Sequence, residues 1–106
     1  MVPEYNAPEL AQRLAQPNPP ILIDVREPDE YQYCHIEGAQ HRPLGDIEDW
    51  AAALDPSAEY VFQCHSGYRS AQAAMYLQRR GFKHVYTLRG GIDAWSVLVD
   101  PNIPRY

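Results

Sequence analysis

The sequence predicts an α/β domain in which helices cover both faces of a parallel sheet. Three observations lead there. Short apolar runs alternate with helical patterns along the chain, the residues 21–25 run Ile-Leu-Ile-Asp-Val has the continuous character of a strand buried on both faces, and the intervening segments are long enough to cross over a sheet. Parallel strands need such crossovers, and these are right-handed in nearly every known case. The 106 residues suit one domain spanning 1–106, a size that buries roughly 60–65% of the unfolded surface in one core.

The elements follow in order. Asn6 is placed to cap a first helix, with Pro8 in its opening turn and Leu10, Ala11 and Leu14 at apolar spacing. The cluster Gln16-Pro17-Asn18-Pro19-Pro20 stops it before the strand at 21–25. Pro28 then opens a helical turn through Glu30, Tyr31 and Tyr33, and residues 39–42 form a short strand. A helix is predicted over 46–54, ended by Asp55-Pro56. Tyr60 to Gln63 is the next strand. The helix after it carries Ala71, Ala74, Met75 and Gln78 along one line, with Ala73 and Leu77 widening that line toward the core. Gly81 serves as its stop, with Arg79 and Arg80 complementing the dipole. Val85 to Leu88 forms a last strand, and Gly90-Gly91 turns into a short helix bearing Trp95.

Composition narrows the function classes. Forty-five per cent hydrophobic and 22% charged residues describe an ordered globular chain. Fourteen acidic against nine basic residues leave a net charge of −5, which argues against nucleic acid and polybasic membrane contacts. Neither a signal peptide pattern nor an apolar run of about 18 residues is present, so a soluble cytoplasmic protein is expected. Two cysteines with no paired spacing are expected to be free thiols in a reducing compartment.

The chemistry concentrates at Cys64. A strand ends there and the polar loop His65-Ser66-Gly67-Tyr68-Arg69-Ser70 leads into a helix. A thiol in that position faces loop N–H groups and the positive end of a helix, both of which favour thiolate. A helix terminus supplies about 0.3–1 kcal/mol and each N–H bond to an anion about 1.5–3 kcal/mol, so the loop amides outweigh the dipole. In an open α/β sheet, ligands bind beyond the carboxyl ends of the strands, where Cys64 falls. The site reads as an anion-binding nucleophile.

These residues resemble the rhodanese-like sulfurtransferases. Asp24-Val25-Arg26-Glu27-Pro28-Asp29-Glu30-Tyr31 with His35-Ile36-Glu37-Gly38-Ala39 resembles the family's first signature, Cys64 to Ser70 its active-site loop, and Gly90-Gly91-Ile92-Asp93-Ala94-Trp95 its closing signature. The resemblance implies a three-layer α/β/α rhodanese-like domain with a central, mainly parallel sheet of about five strands. It also implies that Cys64 takes a sulfane sulfur from a small anionic donor such as thiosulfate. The resulting persulfide would pass to cyanide in vitro, or to a thiol or sulfur-carrier protein, with no cofactor. The ending Asp100 to Tyr106 resembles tails of rhodanese domains fused to enzymes that activate sulfur carriers.

Alternative readings bear on the same residues. A phosphatase or arsenate reductase would place five residues between cysteine and arginine, whereas four separate Cys64 from Arg69. A non-catalytic binding module is compatible with the fold, and Cys64 as a small buried hydrophobe is the plain alternative to a nucleophile. Arg69 either attracts the donor or braces the loop by pairing with Asp24 or Glu27. His65 is poorly placed for a base and Tyr68 suits the rim. Cys34-His35, His41, Cys64-His65 and His84 lack zinc-site spacing. His35 is expected to be a structural hydrogen-bonding residue, and His84 a surface one. Cys34 is either a packed thiol or one able to resolve the Cys64 persulfide, and Arg42 lies at the pocket mouth or on the surface. Asp24, Arg26, Gly90, Gly91 and Trp95 are read as structural, so that substituting them lowers stability before it alters chemistry.

Overall fold

The computed structural model describes residues 2–106. Five parallel strands, β1 (Glu4–Tyr5), β2 (Ile21–Asp24), β3 (Gln40–His41), β4 (Tyr60–Gln63) and β5 (Val85–Leu88), lie in the order β1-β5-β4-β2-β3. The helices are α1 (Ala7–Leu14), α2 (Pro28–Tyr33), α3 (Ile47–Ala51), α4 (Tyr68–Gln78) and α5 (Gly91–Leu98). Strand β4 is central, which leaves all four of its residues buried. Its register with β2 runs from Ile21 opposite Tyr60 to Asp24 opposite Gln63, so both strands end at the same edge.

Alternation of side chains along the strands divides the core into two clusters. One holds Ile23, Phe62 and Cys64 with Trp50 of α3 and Ala73, Ala74 and Leu77 of α4. The other holds Leu22, Val61 and Leu88 with Leu10 of α1 and Ile92 and Trp95 of α5. These are the two interfaces of a three-layer α/β/α domain, and the expected fold class holds.

Local signals explain most boundaries. The Asn6 side chain accepts from the Glu9 amide at 2.8 Å while the Glu9 carboxylate accepts from the Asn6 amide at 3.0 Å, a reciprocal cap for α1. Strand β1 carries no sequence pattern, because two residues are too few to show a period. It forms by pairing with β5, Glu4 opposite Thr87 and Tyr5 opposite Leu88.

Two helix expectations are corrected. The segment predicted as one helix over 46–54 is a 3₁₀ turn at Leu44–Asp46 followed by α3, which ends at Ala51. Ala53 and Leu54 then donate to carbonyls only three residues back, and the Trp50 indole N–H donates to Pro43 O at 2.8 Å, holding the turn against the loop before it. On α4 the buried face is Ser70, Ala73, Ala74 and Leu77, while Met75 is 43% exposed. Apolar spacing alone put Met75 inside. The pleat at Phe62 and Cys64 selects the neighbouring stripe instead.

Candidate active site

Cys64 follows the last residue of β4, and α4 begins at Tyr68. Between them Gly67 adopts φ +128°, a conformation costly to any residue bearing a Cβ. That turn folds the loop back over the sulfur. The Gly67 amide donates to Cys64 Sγ at 3.1 Å and the Ser70 amide at 3.4 Å. The Ser70 hydroxyl, fully buried, donates to Gly67 O at 3.0 Å and lies 3.5 Å from the sulfur, where it accepts the thiol proton. Two N–H groups converging on sulfur form a small cradle for an anion.

The loop is gripped from outside by α5. The amides of Ile92 and Asp93 donate to the carbonyls of Cys64 and His65 at 2.8 and 3.2 Å. Turning these carbonyls outward leaves the loop's N–H groups free to face the sulfur. The approach is so close that a Cβ on Gly91 would lie 2.3 Å from Cys64 O and 2.6 Å from His65 O, and Gly91 has φ +60°. Gly91 is therefore a positioning residue as well as a turn residue, which its reading from sequence missed. The Gly-Gly pair was the available signal.

Arg69 does brace the loop, but its partner is Glu30, neither Asp24 nor Glu27. Both guanidinium ends meet both carboxylate oxygens, Nη1 to Oε1 at 2.6 Å and Nη2 to Oε2 at 3.0 Å. Asp24 is unavailable to it because it is fully buried in a bond with Arg26, Nη2 to Oδ2 at 2.6 Å. Arg26 also donates to Cys34 O at 2.7 Å and to the Tyr106 hydroxyl at 2.9 Å. A buried pair of this kind is retained because losing either partner strands a charge.

Tyr106 ties these charges together. Its hydroxyl donates to Glu30 Oε2 at 2.8 Å, and its ring stacks on His65 with centroids 4.1 Å apart and planes 11° from parallel. The Arg69 hydrogen bonds, helped by the Glu27 amide and Tyr106, draw the Glu30 carboxyl down to about 2. Burial pushes the Tyr106 phenol up to about 12, so it stays protonated and donates. Arg69 is raised, chiefly by its bonds to Glu30 and in part by the charge of Cys64. Glu30 and Tyr106 went unrecognised as site residues because they stand 39 (69 − 30) and 41 (106 − 65) positions from their loop partners Arg69 and His65, separations that no local spacing encodes.

The remaining candidates fall into place. Ser66 and Tyr68 face solvent, Tyr68 being 75% exposed at the rim. His35 and His41 sandwich the Tyr31 ring, and their ring nitrogens contact Tyr31 O and Arg26 O at 2.9 and 2.8 Å. His84 is exposed. Among the described residues no group of three or more His, Cys, Asp or Glu is placed to hold a metal ion. Arg42 is half-buried in a groove with His41, Pro43, Asp46, Asp49 and Trp50. Cys34 packs in the opposite core cluster from Cys64, with Sγ 3.8 Å from Pro104 O.

Comparison with known proteins decides the family, since the rhodanese-like domain profile matches residues 6–98. The chain belongs to the rhodanese-like domain family. Among relatives, the thiosulfate sulfurtransferase GlpE of Pseudomonas fluorescens is 40% identical over 88 residues, covering 83% of this chain and 80% of that protein. A rhodanese-like/PpiC domain-containing chloroplast protein of Arabidopsis thaliana is 44% identical over 80% of the chain, and the putative sulfur carrier protein YrkF of Bacillus subtilis is 36% identical over 90%. The chain spans only 30% and 51% of those two proteins. A rhodanese-like domain protein from Staphylococcus aureus superposes with a TM-score of 0.85 at 26% identity, covering 99% of both chains. In this chain both terminal nitrogens of Arg69, in the loop that follows Cys64, are engaged by Glu30.

Proposed function

We propose that this protein is a sulfurtransferase that moves a sulfane sulfur from a donor such as thiosulfate to a thiophilic acceptor through a persulfide on Cys64. The observation that carries the reading is the convergence of the Gly67 and Ser70 amides on Cys64 Sγ, at 3.1 and 3.4 Å. Thiolate is the reactive form of cysteine toward sulfur, and a persulfide is itself an anion, so the same amides serve both states. Residues His65, Ser66, Gly67, Tyr68, Arg69 and Ser70 shape the loop around it. The thiolate attacks the outer sulfur of thiosulfate, the S–S bond of the donor breaks, and sulfite leaves with its electron pair. An acceptor then attacks the outer sulfur of the persulfide and frees the Cys64 thiolate. Cyanide serves in vitro. A thiol or a sulfur-carrier protein serves in the reducing cytoplasm, where a free thiol persists, and the relative named for sulfur carriage supports that acceptor class.

The test is direct. After incubation with thiosulfate, intact mass is expected to show one added sulfur, discharged as thiocyanate on adding cyanide. Cys64→Ser should abolish both signals, while Cys34→Ser should retain them. Turnover in Cys64→Ser would sink the mechanism. Absence of any adduct on the wild type with several donors would favour a binding module.

A further inference from the structure

We propose that Tyr106 is a positioning residue for Cys64, gripping the Cys64–Ser70 loop at two points so that the Gly67 and Ser70 amides stay directed at the sulfur. The inference deepens the sulfurtransferase reading above and rests on it for its effect on rate. Gly67 makes the turn that brings its own amide to Cys64 Sγ, with φ +128° and no non-neighbouring atom within 4 Å of where a Cβ would lie. A turn with open space around it keeps its geometry only if its flanks are held. Those flanks carry His65 and Arg69, each two positions from Gly67 (67 − 65 and 69 − 67).

One side chain reaches both flanks. The Tyr106 ring stacks on the His65 ring with centroids 4.1 Å apart. Its hydroxyl donates to Glu30 Oε2 at 2.8 Å, the same oxygen that accepts from Arg69 Nη2. Glu30 thus passes the grip to the far side of the turn, and the Glu27 amide, donating to Oε1 at 2.9 Å, keeps that carboxylate from following Arg69 outward.

Tyr106 is itself fixed, as a grip requires. Arg26 Nη1 donates to the phenol oxygen at 2.9 Å, and Arg26 is fully buried against Asp24. The Tyr33 ring meets the Tyr106 ring edge-on at 6.0 Å. Behind the ring, the buried Ser96 hydroxyl donates to Ile103 O, and Arg105 pairs with Asp93. All of these anchors lie outside the loop, on α5 or between Asp24 and Tyr33. Tyr106 has no printed contact with Cys64, so it acts on the sulfur through His65 and Arg69.

The experiment combines sulfur loading of Cys64 from thiosulfate, followed by intact mass, with amide hydrogen exchange, both well below the unfolding temperature. A displacement of about 1 Å in reacting groups can cost on the order of 100-fold, so Tyr106→Leu, which removes ring and hydroxyl together, should slow loading by about tenfold. Tyr106→Phe keeps the stack and should return to within about threefold of wild type. His65→Leu removes the same stack from the loop side and leaves every anchor of Tyr106 in place, so it should also slow loading. Combined with Tyr106→Leu it should add little, because the two changes break one interaction. In both leucine variants the Gly67 and Ser70 amides should exchange faster while those of β4 do not change, a local signature that a general loss of stability does not produce. Unchanged exchange at Gly67 and Ser70 in folded Tyr106→Leu, or slowing that multiplies in the double variant, overturns the inference and leaves the sulfurtransferase reading standing. A wild type that takes up sulfur from no donor, with exchange still dependent on Tyr106, overturns that reading and keeps the grip.

Discussion

Glu30 is the residue at which charge, tail and loop meet. It accepts from Arg69, Tyr106 and the Glu27 amide, and Arg69 first among these holds its carboxyl at about 2 against the ordinary 4.5. A depressed acid adds stability above its unfolded value and loses it as pH falls toward its folded value. Glu30 should therefore stabilise the protein fully above pH 4.5 and lose that contribution between 4.5 and about 2. The pair is partly exposed, 30% at Arg69 and 18% at Glu30, which limits its worth at neutral pH to about 1 kcal/mol. Urea unfolding of wild type and Glu30→Gln across this range should show that gap closing with acid. A gap independent of pH would contradict the assignment.

At the scale of elements, the start of α5 decides the shape of the Cys64–Ser70 loop. Its first amides hold the Cys64 and His65 carbonyls, and Gly91 permits the contact because it has no Cβ and a positive φ. Gly91→Ala should cost at least about 2 kcal/mol from backbone strain and collision. The same change should also displace the loop. Sulfur loading of Cys64 is thus expected to fall in the fraction that remains folded, measured by mass at a temperature well below unfolding. Full loading in a destabilised but folded variant would return Gly91 to a purely structural role. The Gly90-Gly91 pair was legible as a turn from sequence, but its second duty was not, because it depends on two chain segments 27 positions apart by numbering (91 − 64) being pressed together.

Over the whole molecule, the net charge of −5 repels a dianion whichever donor the site prefers. The second-order rate of loading from thiosulfate should rise with ionic strength over about 10–200 mM, since salt shortens the range of that repulsion. Loading from an uncharged sulfane-sulfur donor should be nearly flat. A rate for thiosulfate that falls with salt would show that unmasked positive charge steers the donor, and Arg69 would be the first place to look.

How far the sequence reaches differs by element. The alternation of apolar runs with helical patterns determined the α/β class, four of the five strands and the placement of Cys64 at a strand end, because each depends on residues within a few positions of one another. The short strand Glu4–Tyr5 exists only through its pairing with β5. Likewise, the stripe of α4 that is buried follows from the pleat of β4 beneath it, which buries Ala73 and Leu77 and leaves Met75 outside. The loop motif determined by itself that a thiol would meet backbone amides. Tertiary structure alone decided that Arg69 is neutralised by Glu30, that Tyr106 locks Glu30 while stacking on His65, and that Cys34 sits in the opposite core layer from Cys64. Those outcomes depend on groups brought within a few ångström across long stretches of chain, where orientation and burial choose among partners that sequence leaves equivalent.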